Sequence, residues 1–283
     1  MRRGEDSKGV TDLSALFPDE DYRLAMRFDR GRPEDFFAPT PAGAGLLRER
    51  RRWLGEEAAE YAAARPEGEA LLAEMIDLLR GWTATRGVID GLGGAAPDLC
   101  AELGRRLEPD FLLLAPDGTG TFRLHAGCVC FPSSWSLVEK MGRSLEEIHA
   151  PVPGLNTTLA RPIAGFLGKM PPGISWLRAN WGLSRSPELN QHPHRKLPRL
   201  DATVRADEVW LRVEHQSLVA LPRTGGVLFG IRVEVTALAD VMRELTAVAG
   251  LRRALRTMPE DMAAYKGIAP AHQRLLAFLD SAL

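Results

Sequence analysis

Cysteine is scarce in this 283-residue chain: Cys100, Cys128 and Cys130 are the only three, and no two of them form a CxxC pair. A disulfide framework and a zinc ribbon are therefore excluded, as is a thiolate-held iron–sulfur cluster, which needs four cysteines. An odd set of cysteines with no framework fits a reducing compartment, and the cytoplasm is the expected location. Long apolar runs are also missing, and the start, MRRGEDSKGV, has no apolar stretch behind its charges, so neither a membrane span nor a secretory leader is expected. An excess of one charge is absent too. Thirty-six basic residues against 37 acidic ones leave a net charge of -1, without the basic surplus that phosphate binding requires, so nucleic acid is not an expected partner. The locally basic run Arg48-Glu49-Arg50-Arg51-Arg52 is followed by Glu56, Glu57 and Glu60 at helical spacing, and reads as a solvated helix with internal ion pairs. Gly91 to Ala96 fits G-x-G-x-x-A, but Pro97 interrupts it and no βαβ unit surrounds it, which rules out dinucleotide binding.

The composition is that of a globular protein, with 45% hydrophobic and 26% charged residues, and the length allows one large core with room for a pocket. No repeat or linker divides it, so a single domain is expected. Residues 1–108 read as a helical layer with one short strand, YRLAMRF (22–28), and helices over 67–80 and Pro97–Leu107. Residues 109–236 change period. Strands are expected over Phe111–Leu114, Thr121–Phe131, 174–181, 208–221 and 226–235, with Pro116-Asp117-Gly118 and Pro222-Arg223-Thr224-Gly225 as turns and a Pro- and His-rich loop over 184–200. Residues 237–283 return to helix. The fold class is α+β: a mostly antiparallel sheet of five or six strands covered by N- and C-terminal helices.

The segment densest in chemistry is 121–154. Ser144-Leu145-Glu146-Glu147 is a capping box, and the helix it opens must stop before Pro151, so His149 falls in the last turn of a very short helix. An imidazole there can be aimed rigidly at a pocket as an iron ligand, or can simply answer the helix dipole. His215 is in phase with Val209, Leu211 and Val213, which points it to the apolar face of its strand as a second iron ligand, a distal acid–base group or a core residue. His125 lies on a mixed face and reads as structural or pocket-lining. His192 and His194 flank Pro193 in what reads as a solvated loop, although their spacing could hold a metal. His272 is expected to be exposed. Cys128 and Cys130 read as small core residues.

The run FPSSW, EKMG, IHAPVPG, WLRANWGL and VEHQSLVALPRTGGVLFGIRV resembles the alpha subunit of heme-dependent oxidative N-demethylase, from about residue 22 to about residue 240. The resemblance implies a PAS-like sheet enclosing heme b, with His149 as axial ligand to the iron. It further implies O2-dependent demethylation of a small amine-type substrate, with electrons from a separate flavin/iron–sulfur reductase. Heme propionates need cationic partners, for which Arg178 is the first candidate, followed by Lys140, Arg212 and Arg232. His215 is the candidate catalytic residue, and it stands where relatives carry arginine: Glu214-His215-Gln216-Ser217-Leu218 here replaces Glu-Arg-Gln-Thr-Leu. Glu108-Pro109-Asp110 likewise departs from Gln-Glu-Asp. A heme-based sensor and a heme-free interaction protein are the alternatives.

Overall fold

The computed structural model describes residues 11–283. Its centre is a seven-stranded sheet built from β1 (Asp29–Gly31), β2 (Ala62–Ala64), β3 (Asp110–Pro116), β4 (Phe122–Cys128), β5 (Ser175–Ser184), β6 (Trp210–Leu221) and β7 (Gly226–Ala237). The spatial order is β1-β5-β6-β7-β3-β4-β2, and every neighbouring pair is antiparallel. The long strands stand where the alternation in the sequence predicts them. The Pro222–Gly225 turn joins β6 to β7, with Gly225 at φ 68°.

Before the sheet core come α1 (Leu13–Leu16), α2 (Pro33–Phe37), α3 (Gly43–Glu56), α4 (Ala58–Tyr61), α5 (Glu69–Gly81) and α6 (Ala96–Arg106). Between β4 and β5 lie α7 (Leu145–His149) and α8 (Leu155–Leu167). After β7 follow α9 (Leu238–Val241), α10 (Leu245–Thr257), α11 (Glu260–Tyr265) and α12 (His272–Asp280). The chain is thus α+β, a sheet covered by helices from both chain ends.

One face of the sheet carries both helical layers. Phe111, Leu113, Val219 and Leu228 pack with Leu54, Leu72, Met75 and Leu103 of the N-terminal helices. Further along the twisted sheet, Leu183, Leu211 and Val213 pack with Val248, Leu251 and Leu275 of the C-terminal ones. The opposite face is covered mainly by the 129–170 segment, through Leu137, Ile148, Leu167 and Met170, with Phe28 and Arg30 lying against Trp176 at its edge.

Three readings change. Residues 22–28 form no strand, and the ladder begins only at Asp29. Their alternation is real: Tyr22, Leu24, Met26 and Phe28 are half-buried while Arg23 and Arg27 are exposed. It reports an extended chain lying on the protein, not pairing. Ala62–Ala64 pairs with β4 although alanine favours helix, because the sheet edge offers hydrogen bonds that outweigh a weak propensity. Arg50, in the supposed solvated run, is fully buried, its guanidinium on Asp110.

Candidate functional site

The site is built on the sparsely covered face. Directly opposed residues of antiparallel strands project to the same side. Register therefore sets Trp176, Arg178 and Asn180 of β5 beside Leu218, Gln216 and Glu214 of β6, and these beside Phe229, Ile231 and Val233 of β7. All of them except Ile231 are only half-buried. This is unusual for β7, the middle strand of seven, and it marks a cleft between the sheet and the 129–170 segment. The floor is apolar towards Phe229 and Ile231 and polar towards Glu214 and Arg178.

α7 delivers His149 to this cleft. Ser144 Oγ accepts from Glu147 N at 3.1 Å, and Glu147 Oε2 accepts from Ser144 N at 2.7 Å, so the predicted capping box is formed. Val152 N donates to His149 O, and Gly154, at φ 68°, turns the chain into α8. That left-handed position accounts for the last residue of IHAPVPG. The glycine of EKMG does the same job: Gly142 sits at φ 77°, where a Cβ would also meet the Arg65 guanidinium at 2.8 Å.

The His149 ring is half-buried and makes no hydrogen bond with any described residue. Burial lowers its pKa, and Arg178 and Lys140 lower it further, so the ring is neutral at pH 7, which is the form that ligates a metal. Arg178 is itself half-buried, and neither it nor Lys140 has a hydrogen-bonded or ion-paired partner among the described residues. Burial depresses the Arg178 pKa, and Glu214 partly offsets this. Two unpaired cations beside a free neutral imidazole make a place for an anionic ligand.

Glu214 was missed in the sequence. Ser133 Oγ donates to it at 2.5 Å and Gln216 Nε2 at 3.0 Å, while Asn180 Nδ2 stands at 3.5 Å. The signal was available: a central strand whose even positions read Trp210, Arg212, Glu214 and Gln216 is too polar for a covered face. Lys266 closes the open edge of β5. Its ammonium donates to Trp181 O at 2.6 Å and lies over the Trp181 ring, and burial holds its pKa down to about 8.

The structure does not bring all six predicted site residues together. Arg212 is on the cleft side but already engaged: it donates to Ser133 Oγ at 2.7 Å, Phe131 O at 2.7 Å and Glu188 O at 3.3 Å. It secures the FPSSW segment. Arg232 and His215, which face each other across the β6–β7 ladder, project to the far side of the sheet. Arg232 pairs with Glu108 and the carbonyls of Phe36 and Ala38. His215 Nε2 contacts Thr11 Oγ1 at 3.0 Å and Glu234 Oε2 at 3.3 Å, at the half-exposed end of the face that Val213 begins. The alternation of its strand placed it in phase with buried residues correctly, but that face is not the one with the cleft. His215→Ala should therefore leave heme content, measured as the pyridine hemochromogen, at the wild-type level. Its stability cost should be no more than about 1 kcal/mol, since the contacts are half-exposed.

Of the remaining histidines, His125 is buried, whereas His272 is half-buried rather than exposed, its Nε2 2.8 Å from Leu255 O. No helix among the described residues is long and apolar enough to cross a membrane. The family model described as haem-dependent oxidative N-demethylase, alpha subunit-like, matches residues 94–276 of the 283. The match begins just before α6 and takes in the whole cleft: the 129–170 segment, β5, β6 and β7. On that match, which covers well over half of its length, the chain belongs to the haem-dependent oxidative N-demethylase, alpha subunit-like family.

Proposed function

We propose that the chain is a heme b oxygenase subunit that oxidatively demethylates a small amine-type substrate with O2, as a cytoplasmic monooxygenase fed by a separate flavin/iron–sulfur reductase. The observation that carries this reading is the half-exposed stripe across β5, β6 and β7, facing a neutral, unpartnered His149 flanked by the unpaired Arg178 and Lys140. The donor set fits the cofactor. A neutral imidazole suits the iron, two cations suit two propionates, and Phe229, Ile231, Leu112 and Ile148 suit the flat apolar macrocycle. The order β5-β6-β7-β3-β4 of the five long strands supports the PAS-like description.

A bound heme would supply dioxygen activation and electron transfer. The protein's own residues account for the rest. His149 would fix the cofactor from α7, whose capping box limits how far the ring can move. Glu214, held by Ser133, Asn180 and Gln216, offers a carboxylate to a protonated amine and so orients its methyl group. The 129–170 segment keeps the apolar end of the cleft dry. Arg212 and Arg232 serve the fold in this reading, and His215 stands outside the site. Three buried cysteines cannot hold a cluster, so electrons would have to arrive from another protein.

The test is reconstitution with hemin, followed by an absorption spectrum and by assay of formaldehyde release from methylated amines in the presence of a reductase. A Soret band and amine-dependent formaldehyde are expected. A protein that develops no Soret band at one equivalent of hemin refutes the reading.

A further inference from the structure

The second constellation lies away from the cleft, in the connection between β5 and β6. His192 is 5% exposed, and its Nε2 is buried with no hydrogen-bond partner. A buried polar atom with no partner is costly, so an orphan at this depth asks for a ligand. Glu60 Oε2 stands 4.0 Å from His192 Nε2. His194 lies against it with ring centroids 4.2 Å apart, and its Nε2 is 3.2 Å from Glu57 Oε2 and 3.1 Å from the Tyr61 hydroxyl. One ring nitrogen of each histidine and one carboxylate oxygen of Glu60 all lie within 4.8 Å of one another.

We propose that His192, His194 and Glu60, with Glu57 beside them, bind one divalent transition-metal ion, Zn2+ in the first instance, which clamps the β5–β6 connection to the N-terminal layer. The donors are right for zinc, which takes imidazole nitrogen and carboxylate oxygen at about 2.0–2.2 Å in a tetrahedron, with ligand atoms roughly 3.4 Å apart. The required contraction is small, and it falls on the two exposed members, Glu60 and His194, the latter exchanging its contacts with Glu57 and the Tyr61 hydroxyl for the metal if it ligates through Nε2. His192 is the fixed member. Asn190 Oδ1 accepts from its backbone N–H at 2.9 Å, and Asn190 Nδ2 donates to the hydroxyl of the buried Tyr61 at 2.9 Å. Pro193 opens a tight turn closed by Lys196 at φ 49°, which holds both imidazoles on one side of the loop.

Charge favours a cation. Glu60 Oε2 lies 4.0 Å from His192 Nε2 and Glu57 Oε2 3.2 Å from His194 Nε2, and neither carboxylate is paired with a lysine or arginine among the described residues. Arg195, the nearby cation, is occupied by Glu188 and stacks on Trp53. Ligation through His192 Nε2 puts the ring proton on Nδ1, which gives up a contact with His194 N that is already long at 3.4 Å. The clamp would also stiffen the cleft rim. Gln191, next in the chain, accepts from Ser134 N at 3.1 Å, and Ser133 holds Glu214.

The experiment is calorimetric titration of tag-free, chelator-treated protein with Zn2+. One equivalent should bind to wild type. Glu60→Gln, a surface change, should weaken binding at least about tenfold. The double variant His192→Ala/His194→Ala should bind none at the same concentrations while keeping its circular dichroism. His149→Ala should keep the zinc equivalent in full, which separates this site from the heme reading. The proposal is overturned if wild type takes up no zinc, or if the equivalent survives in both Glu60→Gln and the folded double variant.

Discussion

The His149→Ala protein is expected to be folded and nearly colourless. Among the described residues the His149 ring makes no hydrogen bond, and the residue ends a five-residue helix whose start is fixed independently by Ser144 and Glu147. Nothing in the apo fold depends on the ring, so melting of the heme-free protein should move by less than about 1 kcal/mol, as for a partly exposed side chain with no special role. Heme binding depends on it directly. Loss of a coordinate bond removes more than loss of a group that merely orients a ligand, which already costs ~10–100-fold, so retained heme should fall at least that far. Arg178→Ala should give a smaller loss, on the order of 10-fold, since it removes one half-exposed charge-assisted contact, about 1.5 kcal/mol at the low end of its range, and leaves Lys140 in place. Free imidazole added to His149→Ala should restore part of the Soret band, because the cavity left is the size of the missing ring. The same treatment should do nothing for Arg178→Ala. A Soret band of unchanged position and intensity in His149→Ala would show that the iron is held elsewhere.

How far this site can be read from sequence depends on which kind of signal carries each part. The place of His149 at the end of a short capped helix was legible because its cap, its helix and its stop are all local: Ser144, Glu147 and Pro151 lie within seven residues of one another. The long strands were legible for the same reason, since alternation is local. The side of the sheet was not. His215 and Arg232 sit on strands that were predicted correctly, yet a strand pattern says only that two residues share a face, not which face is left open to a cleft. That is settled by which helices cover which side, a long-range outcome. Arg212 differs: it projects to the cleft side, but its guanidinium is taken up by the carbonyls of Phe131 and Glu188, which are 81 and 24 residues away in the chain. His192 was misread as solvated because Pro and His composition marks a loop, and composition cannot tell that Tyr61 and Asn190 bury that loop against the N-terminal layer. Arg50 shows the limit most clearly, since one arginine in a run of charged residues is the single one turned inward.

That inward arginine carries the largest expected effect on stability, and Asp110→Asn exposes it. Arg50 is fully buried, donates from Nε to Gly104 O at 2.7 Å, and pairs through Nη1 with Asp110. Its third contact, Cys128 Sγ at 3.6 Å, is weak. Burial holds the neighbouring Cys130 thiol well above its ordinary pKa, so it supplies no negative charge at pH 7. Asp110 is therefore the only carboxylate that reaches Arg50 among the described residues, and it accepts two more bonds, from Cys130 N at 2.7 Å and Phe131 N at 3.0 Å. Asparagine has nearly the same shape but no charge, and it must turn an amide NH2 towards one of these donors. A buried guanidinium is left uncompensated, at a cost of about 3–5 kcal/mol. At ~2–4 °C per kcal/mol for a chain of this size, the melting temperature should fall by roughly 6–20 °C. The double variant Arg50→Met/Asp110→Asn should regain part of this, because it removes the stranded charge and fills its volume. The effect should reach the cleft as well. Asp110 anchors the amides of Cys130 and Phe131 just where the chain leaves β4, and two residues later Ser133 holds Glu214 and Arg212. Near-wild-type denaturant midpoints for Asp110→Asn, or a double variant no more stable than the single one, would mean that the pair is not what secures this junction.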